Sequence, residues 1–260
     1  MFGIGGLLGP IFVRLWGEYG CVCIGVLTLF TFPAYIKYKS PEVLEEEKDV
    51  QENKDEVEFK TMSKLSSFLL MAIFFVYMGE ETGFAGWVSP YVVMLNLENK
   101  EGATKYPAIF WIFMTVFRFV FAGASGSISK RLISLNKFKL FVEVISILLT
   151  VMGYTLLAVY WNSVLLGVAL SSMFALIFTI CIEFKQSISQ AQAASVMMFS
   201  AFGDGSLPTV IGYIMKLLGP FSLFYCQIFM GILNFALILF LIKDLEKNEP
   251  NDLEKGTELK

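Results

Sequence analysis

The chain has 260 residues and a formal net charge of −3, and it is 56% hydrophobic, 15% aromatic and only 17% charged, with a mean hydropathy of +0.65. That balance excludes a soluble globular domain and points to an integral membrane protein. Histidine is absent, so coupling to protons or cations would fall to carboxylates, backbone carbonyls or hydroxyls.

A membrane helix needs about 20 apolar residues at ~1.5 Å rise each. Eight runs approach that length, at 1–16, 20–36, 65–95, 107–127, 138–160, 164–182, 192–217 and 222–242. The first is short for a span, and the last is uninterrupted by charge. The pattern predicts an all-α, polytopic membrane helix bundle of about eight transmembrane helices. No basic n-region marks a cleavable signal peptide.

Between the second and third runs lies an acidic stretch, and a second charged stretch follows Lys243. Both read as solvated segments. The expected organisation is therefore a helix pair at 1–38, an acidic linker at 39–64, a six-helix half-bundle at 65–243 and a charged tail at 244–260. With the termini and linker on one side, that side carries fifteen of the twenty Lys and Arg, counting Lys130, Arg131, Lys137 and Lys139 as loop residues. The positive-inside rule makes the linker and both termini cytoplasmic. Cys21, Cys23, Cys181 and Cys226 lie within apolar runs and lack metal-ligand spacing, so they read as small core residues.

The third run holds the adjacent acids Glu80 and Glu81 near its middle. An acid at the centre of a membrane helix costs about 2.5–3.5 kcal/mol, against ~0.3–0.6 returned by each Leu, Ile, Phe or Val. Such a helix needs partner helices or a water-filled cavity. Glu80, Phe84, Trp87 and Tyr91 are spaced 4, 3 and 4, which puts them on one face. An aromatic face beside a carboxylate suits a sugar; the same spacing also describes a packed aromatic stripe, the better reading when it is taken alone. Neighbours on a helix point ~100° apart, so Glu81 shares little of that face. Gly79, Gly83, Gly86 and Pro90 interrupt the same run, and Gly79 with Gly83 forms a GxxxG pair suited to close helix packing. Breaks of this kind also mark transporter binding sites.

Further along, Arg118 lies in the fourth run and Asp204 in the seventh, both near mid-depth, while Glu143 is expected near the cytoplasmic end of the fifth. Charged helices face one another or water, so Glu81, Arg118 and Asp204 form a candidate charge network. Arg118 neutralising one acid for structural reasons alone is the competing reading. No nucleic-acid, metal or nucleophile motif is present, so an enzyme is not expected.

The segment from Val76 to Tyr91, VYMGEETGFAGWVSPY, resembles the seventh helix of major facilitator transporters in the fucose permease and sodium-dependent glucose transporter branch. The similarity extends to Phe117–Arg131 as the eighth helix and its loop, Leu170-Ser-Ser-Met-Phe with Glu183 as the tenth, Gly203-Asp-Gly-Ser-Leu-Pro208 with Gly212 as the eleventh, and Gly3-Ile-Gly-Gly-Leu-Leu-Gly-Pro10 as the fifth. In this register the eight runs resemble helices five to twelve, a partial major-facilitator fold truncated at its N-terminus. Two positions depart from the family pattern: serines replace the aspartate of the loop after the eighth helix, and Asp204 stands where glutamate is usual.

The resemblance implies secondary transport of a hexose-type sugar or similar small polar solute by alternating access, a symport driven by sodium ions or protons. On that expectation Glu80, Phe84, Trp87 and Tyr91 bind substrate, Glu81 or Asp204 binds the coupling ion, and Arg118 holds an acid in place. No cofactor other than that ion is implied. The expected partners are the lipid bilayer, the solute, and a helix bundle or subunit supplying the helices that match nothing here, with the plasma membrane as the location. A truncated or transport-inactive membrane subunit that keeps only the fold is the alternative.

Overall fold

A computed structural model describes residues 60–122 and 126–248. The predicted runs at 1–16 and 20–36, the linker before residue 60 and the tail after 248 lie outside the described residues, as do Cys21 and Cys23. The described part belongs to one compact unit, Phe59–Lys260, and is a helical bundle.

In chain order its elements are β1 (Lys60–Thr61), α1 (Lys64–Met94), α2 (Lys100–Ala103), α3 (Lys105–Ala122), α4 (Ile128–Val151), α5 (Thr155–Leu170), α6 (Met173–Glu183), β2 (Gln186–Ser187), α7 (Gln190–Leu218) and α8 (Ser222–Asn248). Among the described residues, three stretches are long and apolar enough to cross a membrane: α1, α5 continued by α6, and α8. They carry large apolar side chains on their outer surface, with Phe68, Ile182 and Phe229 among the most exposed, as suits a hydrocarbon environment.

Local sequence sets the ends of these helices. Ser63 caps α1 by accepting from the Ser66 amide at 2.9 Å, and Ser189 and Gln192 form a reciprocal capping box at the start of α7. Gly153, with φ of 87°, lies just beyond the end of α4, in a backbone region that favours glycine. The fifth predicted run is therefore shifted: the helix covers Ile128–Val151 rather than 138–160. Nothing between Ile128 and Val151 is glycine or proline, so the helix extends back through the polar residues that had read as loop.

α1 is the central element. It packs most extensively against α7 and then α8, with α3 also in contact. Small residues bring α1 and α7 close together, as the GxxxG pair suggested. A Cβ at Gly203 would lie 2.1 Å from the Phe75 carbonyl oxygen, one at Gly79 2.2 Å from Leu207 Cδ1, and one at Gly83 2.4 Å from Ile211 Cδ1. Without a hydrophobic driving force in lipid, such close van der Waals contact holds helices together. At one end of the bundle β1 pairs in parallel with β2, and Asp244 of α8 accepts from the hydroxyls of Ser63 and Ser66, tying the start of α1 to the end of α8.

Candidate functional site at a helix break

The span formed by α5 and α6 is interrupted at Ser171–Ser172. A break frees carbonyls that a continuous helix would use, and in a membrane those groups must find other donors. They do. The Tyr77 hydroxyl of α1 donates to the Leu170 carbonyl at 3.2 Å, and Arg118 Nε of α3 donates to the Ser171 carbonyl at 2.8 Å. The Ser171 hydroxyl donates to the Val168 carbonyl at 2.7 Å. Two elements that are distant in sequence thus hold the interrupted backbone.

Glu81 stands one turn beyond Tyr77 on α1 and is 4% exposed. The Tyr77 hydroxyl and the charges of Arg118, Asp204 and Glu80 all act on it. Three of the acidic and basic residues nominated from sequence, Glu81, Arg118 and Asp204, are therefore electrostatic neighbours, brought together from α1, α3 and α7. Arg118 is half-buried and spends its Nε–H on backbone rather than on a carboxylate, and Asp204 lies on the exposed side of α7.

The aromatic face has a different setting. Glu80, Phe84 and Tyr91 are fully buried. Phe84 packs on Phe110 with ring centroids 5.3 Å apart, and Tyr91 meets Phe224 edge-on at 5.2 Å. Trp87 is half-buried; its indole N–H donates to the Pro208 carbonyl at 2.6 Å, and its ring covers Gly212, where a Cβ would fall 2.0 Å from Cζ2. In this conformation the stripe packs α1 against α3, α7 and α8.

Lys139 corrects the reading of the loops. It lies near the middle of α4, is fully buried, and its Nζ donates to Glu80 Oε2 at 2.8 Å. Like Lys130, Arg131 and Lys137, it lies within α4 rather than in a loop. Glu143, expected near the cytoplasmic end, sits four residues further into the same helix and is 1% exposed. The available sequence signal was an unbroken helical run with Lys139 and Glu143 at one-turn spacing.

The serine loop before α4 also has a partner. Glu183, at the end of α6, accepts from the Ser127 hydroxyl and from the Ser129 backbone N–H, the latter at 2.7 Å. A carboxylate thus meets the N-terminus of α4, where amides are unpaired and the dipole favours negative charge. Of the cysteines, Cys181 is buried and Cys226 half-buried, and both are free thiols.

The sequence model of the Major Facilitator Superfamily matches residues 1–207. No curated protein and no solved structure matches the chain.

Proposed function

The chain belongs to the major facilitator superfamily, a family of membrane transporters, and from that premise we propose that it carries a small polar solute of the hexose type by alternating access, coupled to sodium ions or protons. The residues from Val76 to Tyr91 support the fucose permease and sodium-dependent glucose transporter branch, and a plasma-membrane location accords with that solute.

The observation that carries this reading is the broken α5–α6 span. Interrupted membrane helices whose backbone lines a cavity are the usual form of a transporter site. Here the break is flanked by Tyr77, Glu81 and Arg118. On this proposal Glu81 and Asp204 bind the coupling ion, and Arg118 fixes the interrupted backbone. Trp87, the one member of the Glu80, Phe84, Trp87 and Tyr91 face that keeps partial exposure, offers a ring for a sugar's C–H face. Glu80, Phe84 and Tyr91 reach the solute only in a conformation that separates α1 from its neighbours.

The test is uptake of a labelled hexose into vesicles reconstituted with the protein, with and without an imposed sodium or proton gradient. Accumulation driven by one gradient and abolished by Glu81→Gln or Asp204→Asn supports the proposal. Gradient-independent uptake, or full activity in both variants, overturns it.

A further inference from the structure

One group of polar side chains plays no part in the helix break. α4 carries Lys139 and Glu143 on one face, four residues apart. α1 supplies Glu80, whose Oε2 accepts from Lys139 Nζ at 2.8 Å. α8 supplies Gln227, Gly231 and Asn234, again on one face, and Gln227 Nε2 donates to the Glu80 backbone carbonyl at 3.2 Å. A Cβ at Gly231 would lie 2.9 Å from Glu143 Oε2 and 3.4 Å from Oε1, so that carboxylate rests directly on the α8 backbone. Glu80, Lys139, Glu143, Gln227 and Asn234 are each at most 1% exposed.

Their hydrogen bonding does not close. Neither oxygen of Glu143 has a partner among the described residues, and the same holds for Glu80 Oε1, Gln227 Oε1 and both amide atoms of Asn234. The charges do not close either. Two carboxylates face one ammonium; Glu80 and Lys139 are the charged groups that act on Glu143, and Glu81, next to Glu80 on α1, is a further acid that interacts with Glu80. From α8 the facing side chains are neutral. On the α5 side, Asn162 donates to Ser146 at 2.8 Å, and Glu183 of α6 is held by Ser127 and Ser129 at the other end of α4. An ionised carboxylate with no donor deep in a membrane protein is costly, and of two carboxyl groups sharing a site one holds its proton more firmly than an isolated acid does. A proton needs no coordination shell, whereas a metal cation would have to sit beside the ammonium of Lys139, which already occupies Glu80 Oε2.

We propose that Glu80 and Glu143 share one exchangeable proton, with Lys139 as the fixed counter-charge, and that this cluster between α1, α4 and α8 is a proton-binding site separate from the ion site proposed at Glu81 and Asp204. Uptake of the proton forms one O–H bond on a carboxylate; on release the proton passes to water and Lys139 is left to divide its charge between two ionised acids. The inference rests on the transport reading only for what the proton would drive.

Infrared difference spectroscopy of the purified full chain reads the proton without transport. At neutral pH the wild-type protein should show a carboxylic-acid carbonyl band that titrates away on alkalinisation and does not respond to sodium. Glu143→Gln leaves the ionised Glu80–Lys139 pair, and Glu80→Gln leaves Glu143 to pair with Lys139, so each variant should lack that component. Either variant suffices if the other does not fold. A wild-type spectrum without the band, a component that survives in a folded variant, or one that added sodium removes overturns the proposal. Absence of hexose uptake with the band present would sink the solute assignment and leave the proton site standing.

Discussion

Lys139 and Glu80 form an ion pair 2.8 Å long with both side chains fully buried, joining the middle of α4 to the middle of α1. Breaking a buried pair from one side strands a charge and costs about 3–5 kcal/mol. The two sides are not equivalent, because Glu143 stands one turn from Lys139 whereas Lys139 is the one salt-bridge partner of Glu80 among the described residues. Lys139→Met is expected to lower stability by that full ~3–5 kcal/mol, and Glu80→Gln by less, since Glu143 inherits the lysine. Thermal unfolding of the two variants in detergent checks the asymmetry; equal losses would remove Glu143 from the cluster.

The α1–α7 contact depends on missing side chains. At Gly203 an added methyl meets the Phe75 carbonyl oxygen at 2.1 Å, backbone that cannot swing aside, whereas at Gly205 nothing lies within 4 Å. Gly203→Ala is expected to cost on the order of 1–3 kcal/mol by forcing the helices apart. Gly205→Ala should be neutral or slightly stabilising because alanine favours helix. Melting temperatures of the pair decide it.

At the helix break, Arg118→Lys keeps the charge but loses the Nε–H that reaches the Ser171 carbonyl. A hydrogen bond from a charged donor is worth about 1.5–3 kcal/mol, and an orphaned buried carbonyl adds to the loss. Uptake in reconstituted vesicles is expected to fall roughly ten-fold or more, which corresponds to the lower end of that range. Tyr77→Phe, which removes the neutral donor to Leu170, should fall less. The reverse order would show that the backbone bond from Arg118 is incidental.

Glu183 gives α4 the N-terminal acceptor that Ser127 does not, since Ser127 makes no side-chain cap of its own. Glu183→Ala should cost about 1 kcal/mol, within the range for loss of a helix cap. It should also speed hydrogen exchange at the amides of Ser129 and its neighbours. Unchanged exchange there would show that the cap is unimportant.

Much of the architecture follows from local sequence. Apolar length alone marks α1 and α8, and the Ser63 and Ser189 caps follow from residue type and spacing. The cost of a buried charge singles out Glu80 and Glu81 before any fold is known. The start of α4 was not legible, because Ser, Lys and Asn near a membrane boundary resemble loop whenever hydropathy is averaged over a window.

Partnership required the tertiary structure. Sequence determined that α1 carries two acids on different faces and that small residues lie along it. Only the fold decided that Glu80 meets a lysine 59 positions away while Glu81 lies beside Tyr77 and in the field of Arg118 and Asp204, and that the Leu170 and Ser171 carbonyls are taken by α1 and α3. The reason is physical. Helix formation and membrane insertion are set by neighbours along the chain, but the choice of counter-charge is made across helix interfaces, by groups that burial compels to find one another.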